Sequence, residues 1–315
     1  MARVKKQTVT QQIMAQVREH HAERAHDTSR KQYIRDTKKF VKYCREIFNC
    51  KSFEECRAHL QDYADYLKSK KYAASTIHTY LAAACSSFDV NLGEINKPTR
   101  HVADYKRGRA QKDNGVRTDI NDIKWKHLVD FQRAVGLRRE ELMDLTGEDL
   151  VIDESGHICV HVRRGKGGKP QNQRINEGYE DLVKSYYDRT PASQHLFERE
   201  LFKNDLNLHA LRANSAKAYY YEQLRKIERE PTYKQQLISE IYSRCKVDHH
   251  DKNGKIRRIP KNEIEGYYVL RGKNRQLAKE KGLPLSYNKT ALLATSIFKL
   301  SHWRNDVTVA SYMLV

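Results

Sequence analysis

From Thr8 to about Ser87 the apolar residues recur three and four positions apart, a period that commits the whole stretch to helices. Asp27-Thr28-Ser29 offers an N-cap, after which Tyr33, Ile34, Thr37, Phe40, Val41, Cys44, Ile47 and Phe48 fall on one face. Ser52-Phe-Glu-Glu has the capping-box pattern and begins another helix that carries Leu60, Tyr63, Ala64 and Leu67. A third runs from about Ala74 to Ser87, with Ile77, Tyr80, Leu81 and Ala84 facing inward. Lysines and arginines fill the opposite faces and cluster at helix ends, as at Lys68, Lys70 and Lys71. That distribution suits either the solvated faces of a helical bundle or a surface that meets phosphates.

The period breaks between Arg100 and Arg117. Arg100, Lys106, Arg107, Arg109, Lys112 and Arg117 stand there against only Asp104 and Asp113, with Gly108 and Gly115 interspersed. This reads as an interdomain linker, either plainly flexible or lying along phosphates. Beyond it, Ile123–Ala134 is helical in pattern, and Val135-Gly-Leu-Arg-Arg-Glu-Glu-Leu continues as a turn and a second helix. His157-Ile-Cys-Val-His-Val162 alternates as a strand, Arg163-Arg-Gly-Lys-Gly-Gly-Lys169 forms a glycine-rich tip, and Gln173-Arg-Ile175 begins the return. Glu180–Tyr187 and Leu208 to about Arg229 are again helical. The expected fold is mainly α with a small β-sheet, divided into a helical domain over 1–99, a linker over 100–117 and a second domain over 118–315.

Charge narrows the partner. Lys and Arg number 59 against 40 Asp and Glu in 315 residues, a formal net charge of +19. So large an excess favours a polyanion, nucleic acid ahead of an anionic membrane. No run approaches the roughly 18–20 apolar residues of a membrane span, and the basic start Met1-Ala-Arg-Val-Lys-Lys-Gln lacks the apolar core of a signal peptide. The six cysteines (Cys44, Cys50, Cys56, Cys85, Cys159 and Cys245) include no C-x-x-C pair and read as reduced and mostly buried. A soluble, cytoplasmic chain with DNA or RNA as partner is the expectation.

Chemistry gathers near the end of the chain, in Leu300-Ser-His-Trp-Arg-Asn-Asp-Val-Thr-Val-Ala-Ser-Tyr312. A tyrosine phenol can attack a phosphodiester and hold the nucleic acid as an ester. Such a transfer needs permanently charged donors on the non-bridging oxygens, a proton for the leaving oxygen, and a phenol held in line. Arg138, Lys166, His209, Arg212, His302 and Tyr312 meet these needs in type. His209 and Arg212 are three apart, so both leave the same face of a helix start. Lys166 sits between glycines at a tight turn, from which it could reach into a cleft.

In this order the residues resemble the tyrosine recombinase/integrase family. The matching stretches are Gly136-Leu-Arg138-Arg-Glu-Glu141-Leu142, Gly-Lys166-Gly-Gly-Lys, His209-Ala-Leu-Arg212, and Leu300-Ser-His302 followed by Tyr312. The resemblance implies a helical core-binding domain ahead of a catalytic domain. It implies Tyr312 as nucleophile of a 3′-phosphotyrosine link, Arg138 and Arg212 as phosphate clamps, and Lys166 as general acid, with Lys169 a weaker rival. It further implies His209 and His302 as donors to phosphate oxygens and Glu141 as support. Arg163, Arg164 and Lys169 beside the tip, with Lys106, Arg107 and Arg109 in the linker, are the expected DNA contacts. The mechanism requires neither metal nor other cofactor. The implied partners are double-stranded DNA, three further copies in a tetramer, and an accessory DNA-bending or excision factor, with the protein at the nucleoid when bound. Integration or excision of a mobile element is the expected use. A type IB topoisomerase and an inactive DNA-binding regulator are the alternatives.

Three features depart from the family pattern. From His209 to His302 is 93 positions (302 − 209), and the excess lies at about 222–285. Asp248-His-His250 within it, near Cys245, lacks a second ligand pair at a zinc-like spacing, so a DNA- or protomer-contacting insertion or a solvated loop is expected there rather than a metal site. The interval from His302 to Tyr312 is about a residue longer than usual, and only Met313-Leu-Val315 follow the tyrosine. Family members send a helix from there into a neighbouring protomer. Here that exchange is absent, replaced by the insertion, or lost with a missing C-terminal segment.

Overall fold

The computed structural model describes residues 8–22, 27–101, 123–165, 168–202, 206–250 and 253–314. The chain divides into two compact units, Met1–His101 and Val102–Val315.

In the first unit, side-chain caps set where helices begin. The Thr8 hydroxyl accepts the Gln11 N–H while the Gln11 side chain accepts that of Thr8, opening α1 (Val9–His20). After α2 (Asp27–Phe48), Ser52 accepts the Glu55 N–H and starts α3 (Phe53–Arg57). The single helix expected from Ser52 onward is two: α3 stops, the His59 N–H closes on the Cys56 carbonyl at 3.0 Å, and α4 (Leu60–Ser69) follows. The apolar spacing runs through this break unchanged, since Cys56 to Leu60 is again four positions, so periodicity alone does not see it. With α5 (Ala74–Ser87), these helices bury Val17, Phe40, Val41, Cys44, Leu81 and Ala84 completely.

The second unit opens on α6 (Ile123–Val135) and α7 (Arg139–Met143). A three-stranded antiparallel sheet follows, in the order β1 (Leu150–Ile152), β2 (Ile158–Val162), β3 (Gln171–Arg174), with Val160 opposite both Leu150 and Gln173. After α8 (Glu180–Asp188) comes α9 (Leu208–Arg229), a long helix that packs against α6. Leu128, Phe131 and Val135 of α6 share one core with Val160, Val162, Val183 and Leu211.

The stretch at about 222–285 is structured. It holds the end of α9, then α10 (Tyr233–Asp248), α11 (Lys261–Ile264), β4 (Tyr267–Val269) and α12 (Gly272–Glu280). Strand β4 pairs antiparallel with β5 (Ser286–Asn288), the lead into α13 (Lys289–Ala294). Leu237, Ile241 and Cys245 of α10 pack with Leu293, Ile297 and Phe298, so the insertion forms part of the core behind the final segment. Among the described residues the chain is mainly α with two small antiparallel sheets.

Candidate active site

The site begins where α6 stops. Gly136 takes φ +68°, and a β-carbon there would lie 2.8 Å from the Ser215 hydroxyl, so a side chain at this turn meets both strain and a clash. The backbone carbonyls left open at the end of α6 face the interior, and each needs a donor. Distant side chains supply them. Asn176 donates to Arg133 O at 3.1 Å, Lys299 Nζ to Ala134 O at 2.7 Å, and Gln173 to Val135 O at 2.6 Å. Arg212 Nη1 donates to Gly136 O at 2.6 Å and Gln132 to Leu137 O at 2.6 Å. Five successive carbonyls are thus held immediately ahead of Arg138.

Glu141 joins the two arginines. Its Oε2 accepts the Arg138 backbone N–H at 2.8 Å, which starts α7, and it lies 3.4 Å from Arg212 Nη1. Its Oε1 accepts from Arg138 Nη1 and, at 3.3 Å, from the Gln171 side chain. Arg212 stands in the first turns of α9, a helix capped by Asn207, whose side chain accepts the Ala210 N–H at 3.0 Å. It is 1% exposed, whereas Arg138 is half-buried. Burial lowers the Arg212 guanidinium pKa, as does the nearby Arg138 charge, while Tyr312 and Glu141 act the other way. A guanidinium nonetheless stays charged at neutral pH, so two cations and one carboxylate leave the cluster a net positive charge.

The final segment closes over these groups. Thr295 and Ser296 hydroxyls bond back to the Ala291 and Leu292 carbonyls at 2.8 Å, and α13 widens there into a π-helical segment, Thr295–Lys299. Ser301 then takes φ +56°, and the reversal leaves Leu300 O accepting from Arg212 Nη2 at 3.2 Å and Arg138 Nη2 at 3.5 Å. The short helix α14 (Asn305–Thr308) runs into a second π-helical segment, Val309–Met313, tied back by a 2.6 Å contact between the Ser296 and Thr308 hydroxyls. This sets the Tyr312 hydroxyl 3.4 Å from Arg212 Nε, with the ring buried against Ala213, Ala216 and Leu300. The His209 and His302 rings lie 5.6 and 6.4 Å from that of Tyr312, centroid to centroid.

His302 is half-buried, but its Nε2 is shut from solvent and has no hydrogen-bond partner. Its Nδ1 accepts the Arg304 backbone N–H at 3.3 Å. In the neutral ring the proton therefore sits on Nε2, a buried N–H with no acceptor. Burial first, then the Arg212, Arg138 and Arg304 charges, push its pKa down to about 4, against a weaker pull from Asp306.

No family model matches the chain, and neither does any curated protein. Among solved structures it is similar to a crystal structure of XerA recombinase, at 19% identity and a TM-score of 0.24, covering 66% of this chain and 84% of that one.

Arg138, Glu141, His209, Arg212, His302 and Tyr312 are thus brought together, with His209 exposed beside the tyrosine. Lys166, with Lys106, Arg107 and Arg109, lies outside the described residues. Arg163 is bound within the chain, to Glu148 at 2.7 Å and Asp149 at 3.0 Å, whereas Arg164 and Lys169 are exposed. Trp303 stacks on His249, with ring centroids 4.6 Å apart. Sequence reasoning missed Gln171, Lys299 and the Leu300 carbonyl. A lysine amid the apolar run Ala291–Leu300 was a signal for the second of these, and carbonyls carry none.

Proposed function

We propose that the protein is a tyrosine-type site-specific DNA recombinase. The Tyr312 oxygen attacks the scissile phosphorus as its phenol proton passes to His209, the bond to the 5′ oxygen breaks, and a 3′-phosphotyrosine ester holds the strand. The reverse attack by a 5′-hydroxyl rejoins it. Because the ester retains the phosphodiester bond energy, the cycle needs no nucleotide. Arg138 and Arg212 bind the non-bridging oxygens, and the neutral His302 donates its Nε2 proton to one of them. Lys166 protonates the leaving oxygen. The first unit and the basic linker grip the duplex, and four copies act on two duplexes to integrate or excise a mobile element.

The observation that carries this reading is the orphan Nε2–H of His302 in the same cluster as a buried arginine and the Tyr312 hydroxyl. A buried donor without an acceptor costs about 1–3 kcal/mol unless a ligand completes it, and a phosphate oxygen would. The test uses nicked suicide DNA carrying the element ends. Wild type should form a denaturation-resistant adduct through a 3′ phosphate, and Tyr312→Phe should form none. Binding to the confirmed target with no adduct would overturn the proposal, as would an adduct that survives Tyr312→Phe. Strand joining between two duplexes, as against supercoil relaxation without sequence preference, then separates a recombinase from a topoisomerase.

A further inference from the structure

The sequence disperses its cysteines, but the fold of the first unit does not. Cys44, Cys50 and Cys56, six positions apart in each step, bring their sulfur atoms within 4.8 Å of one another, and all three are buried. Each is delivered by a local device. Cys44 lies in the last turns of α2, with its thiol directed at the Cys56 carbonyl at 3.9 Å. Asn49 takes φ +54° just past that helix, turning the chain so that the Cys50 N–H reaches back to the Cys44 carbonyl at 3.3 Å. Ser52 caps α3 and thereby fixes Cys56 one turn further on.

We infer that these three thiols form a binding site for a thiophilic d10 metal ion, Zn2+ or Cu+. Metal–sulfur bonds of about 2.3 Å require sulfur atoms about 4 Å apart, so closing on an ion asks each thiol to move by less than about 1 Å. Binding forms three metal–sulfur bonds and releases three thiol protons to solvent. Arg45, whose Nη1 donates to the Cys50 carbonyl, lies close enough to offset excess thiolate charge. No fourth His, Cys, Asp or Glu joins the cluster among the described residues. Cu+ is satisfied by three soft thiolates, whereas Zn2+ completes a tetrahedron with a small exogenous donor. Entry is past the exposed end of α2 and Asn49 (46–49), which needs only local opening to admit an ion. Apolar packing accounts for one buried cysteine at a time. It does not call for three to converge from two helices and the turn between them.

The test uses the full-length reduced protein, titrated anaerobically in separate arms with Zn2+, with Cd2+ as its spectroscopic substitute, and with Cu+. One equivalent should produce the sulfur-to-metal charge-transfer band, raise the melting temperature, and protect Cys44, Cys50 and Cys56 from alkylation as mapped by peptide mass. Cys44→Ala and Cys56→Ala should abolish the band, while Cys85→Ala and Cys159→Ala should keep it. No band in any arm, or a band that survives Cys44→Ala and Cys56→Ala, would overturn the inference. Should those variants fail to fold, the alkylation map of wild type decides, because failure to protect these three cysteines would overturn it equally. Air oxidation that joins two of them in a disulfide, with no metal bound beforehand, would show a redox pair instead. None of these readouts involves DNA cleavage, so they stand or fall apart from the recombinase proposal.

Discussion

The two units use their buried polar groups differently. The first buries mostly carbon and sulfur, with Val17, Phe40, Val41, Cys44, Leu81 and Ala84 fully enclosed and Phe40 meeting Tyr63 and Phe88 at 5.1 and 5.4 Å between centroids. Its buried His21, Thr37 and Ser87 contact one another, Ser87 Oγ lying 2.8 Å from both partners. The second also has an apolar core, but at the end of α6 it buries a lysine, an arginine, two glutamines and an asparagine against backbone carbonyls. An apolar core fixes which faces meet and tolerates small shifts. Carbonyls accept only from a narrow range of distances and angles, so five of them held in sequence fix Arg138 in place. Precision is built where chemistry is proposed, and bulk burial serves elsewhere.

Matched deletions would show the contrast most strongly. Leu81→Ala leaves a cavity and should cost about 2–5 kcal/mol, with no change in the stability profile between pH 5 and 8. Arg212→Ala removes a buried cation, leaves the Gly136 and Leu300 carbonyls without its donors and Glu141 with only Arg138 and Gln171, and should cost about 3–5 kcal/mol. Adding Glu141→Leu to Arg212→Met should recover much of that stability, while adduct formation stays at least about 100-fold below wild type. Urea denaturation and the suicide-substrate assay measure the two. Equal pH profiles and full additivity across both sites would erase the distinction drawn here.

The His302 ring offers a smaller, pH-resolved test. Its native pKa of about 4 lies below the ordinary histidine value near 6.5. The unfolded chain therefore binds a proton that the native ring does not, and stability present above pH 6.5 is lost as pH falls toward 4. The loss is at most about 3 kcal/mol, less because the residue is only half-buried. His302→Gln should flatten that part of the profile, and DNA carrying the target phosphate should raise the ring's pKa. An unchanged profile in the variant would remove His302 from the buried cluster.

Much of this could be read from the chain beforehand, and the reason is local. Helices α5, α6, α8 and α9 follow their apolar periods to within a residue or two, because one face of each is buried. His209 and Arg212 were expected on one helix face from their i, i+3 spacing, whereas Glu141 was set beside Arg138 by the resemblance, and the structure joins that pair at the N-cap of α7. What escaped depends on partners far apart in sequence. Lys299 reaches Ala134 across 165 positions, and no period encodes that. The break between α3 and α4 was hidden by unbroken spacing, and the cysteine cluster by a turn at Asn49 whose φ a periodic reading does not predict. The ordered insertion was seen only as length, since short elements such as α11 and β4 carry too few residues to show a pattern.

Lys299 gives the next effect in size. It is fully buried, and burial drives its pKa well below the ordinary value, helped by the Arg212 charge. Its proton is taken up on unfolding, so between the depressed native pKa and about 10.4 stability should rise with pH. Lys299→Met loses two carbonyl hydrogen bonds but no longer buries an amine, and its net effect at neutral pH should stay within about 2 kcal/mol of wild type. The slope discriminates: the alkaline rise should be absent in the variant. A slope identical to wild type would mean that Lys299 is held as the ammonium.

Smallest of all should be the comparison between neighbours at the tip of the β2–β3 hairpin. Arg164 is exposed, and Arg164→Ala should change stability by less than about 0.5 kcal/mol. Arg163 is also exposed, but it contacts Asp149, itself 2% exposed, and donates to the Asp144 carbonyl at 3.0 Å. Arg163→Ala should therefore cost more, about 1 kcal/mol, because Asp149 keeps only its Thr146 donors. DNA binding should reverse the order. An arginine already spent on intrachain carboxylates releases few counterions, so Arg164→Ala should flatten the salt dependence of binding by about one unit of log–log slope and Arg163→Ala by less. If Arg163→Ala flattens it as much, the Asp149 pair opens on DNA, and Arg163 is as much a phosphate contact as Arg164.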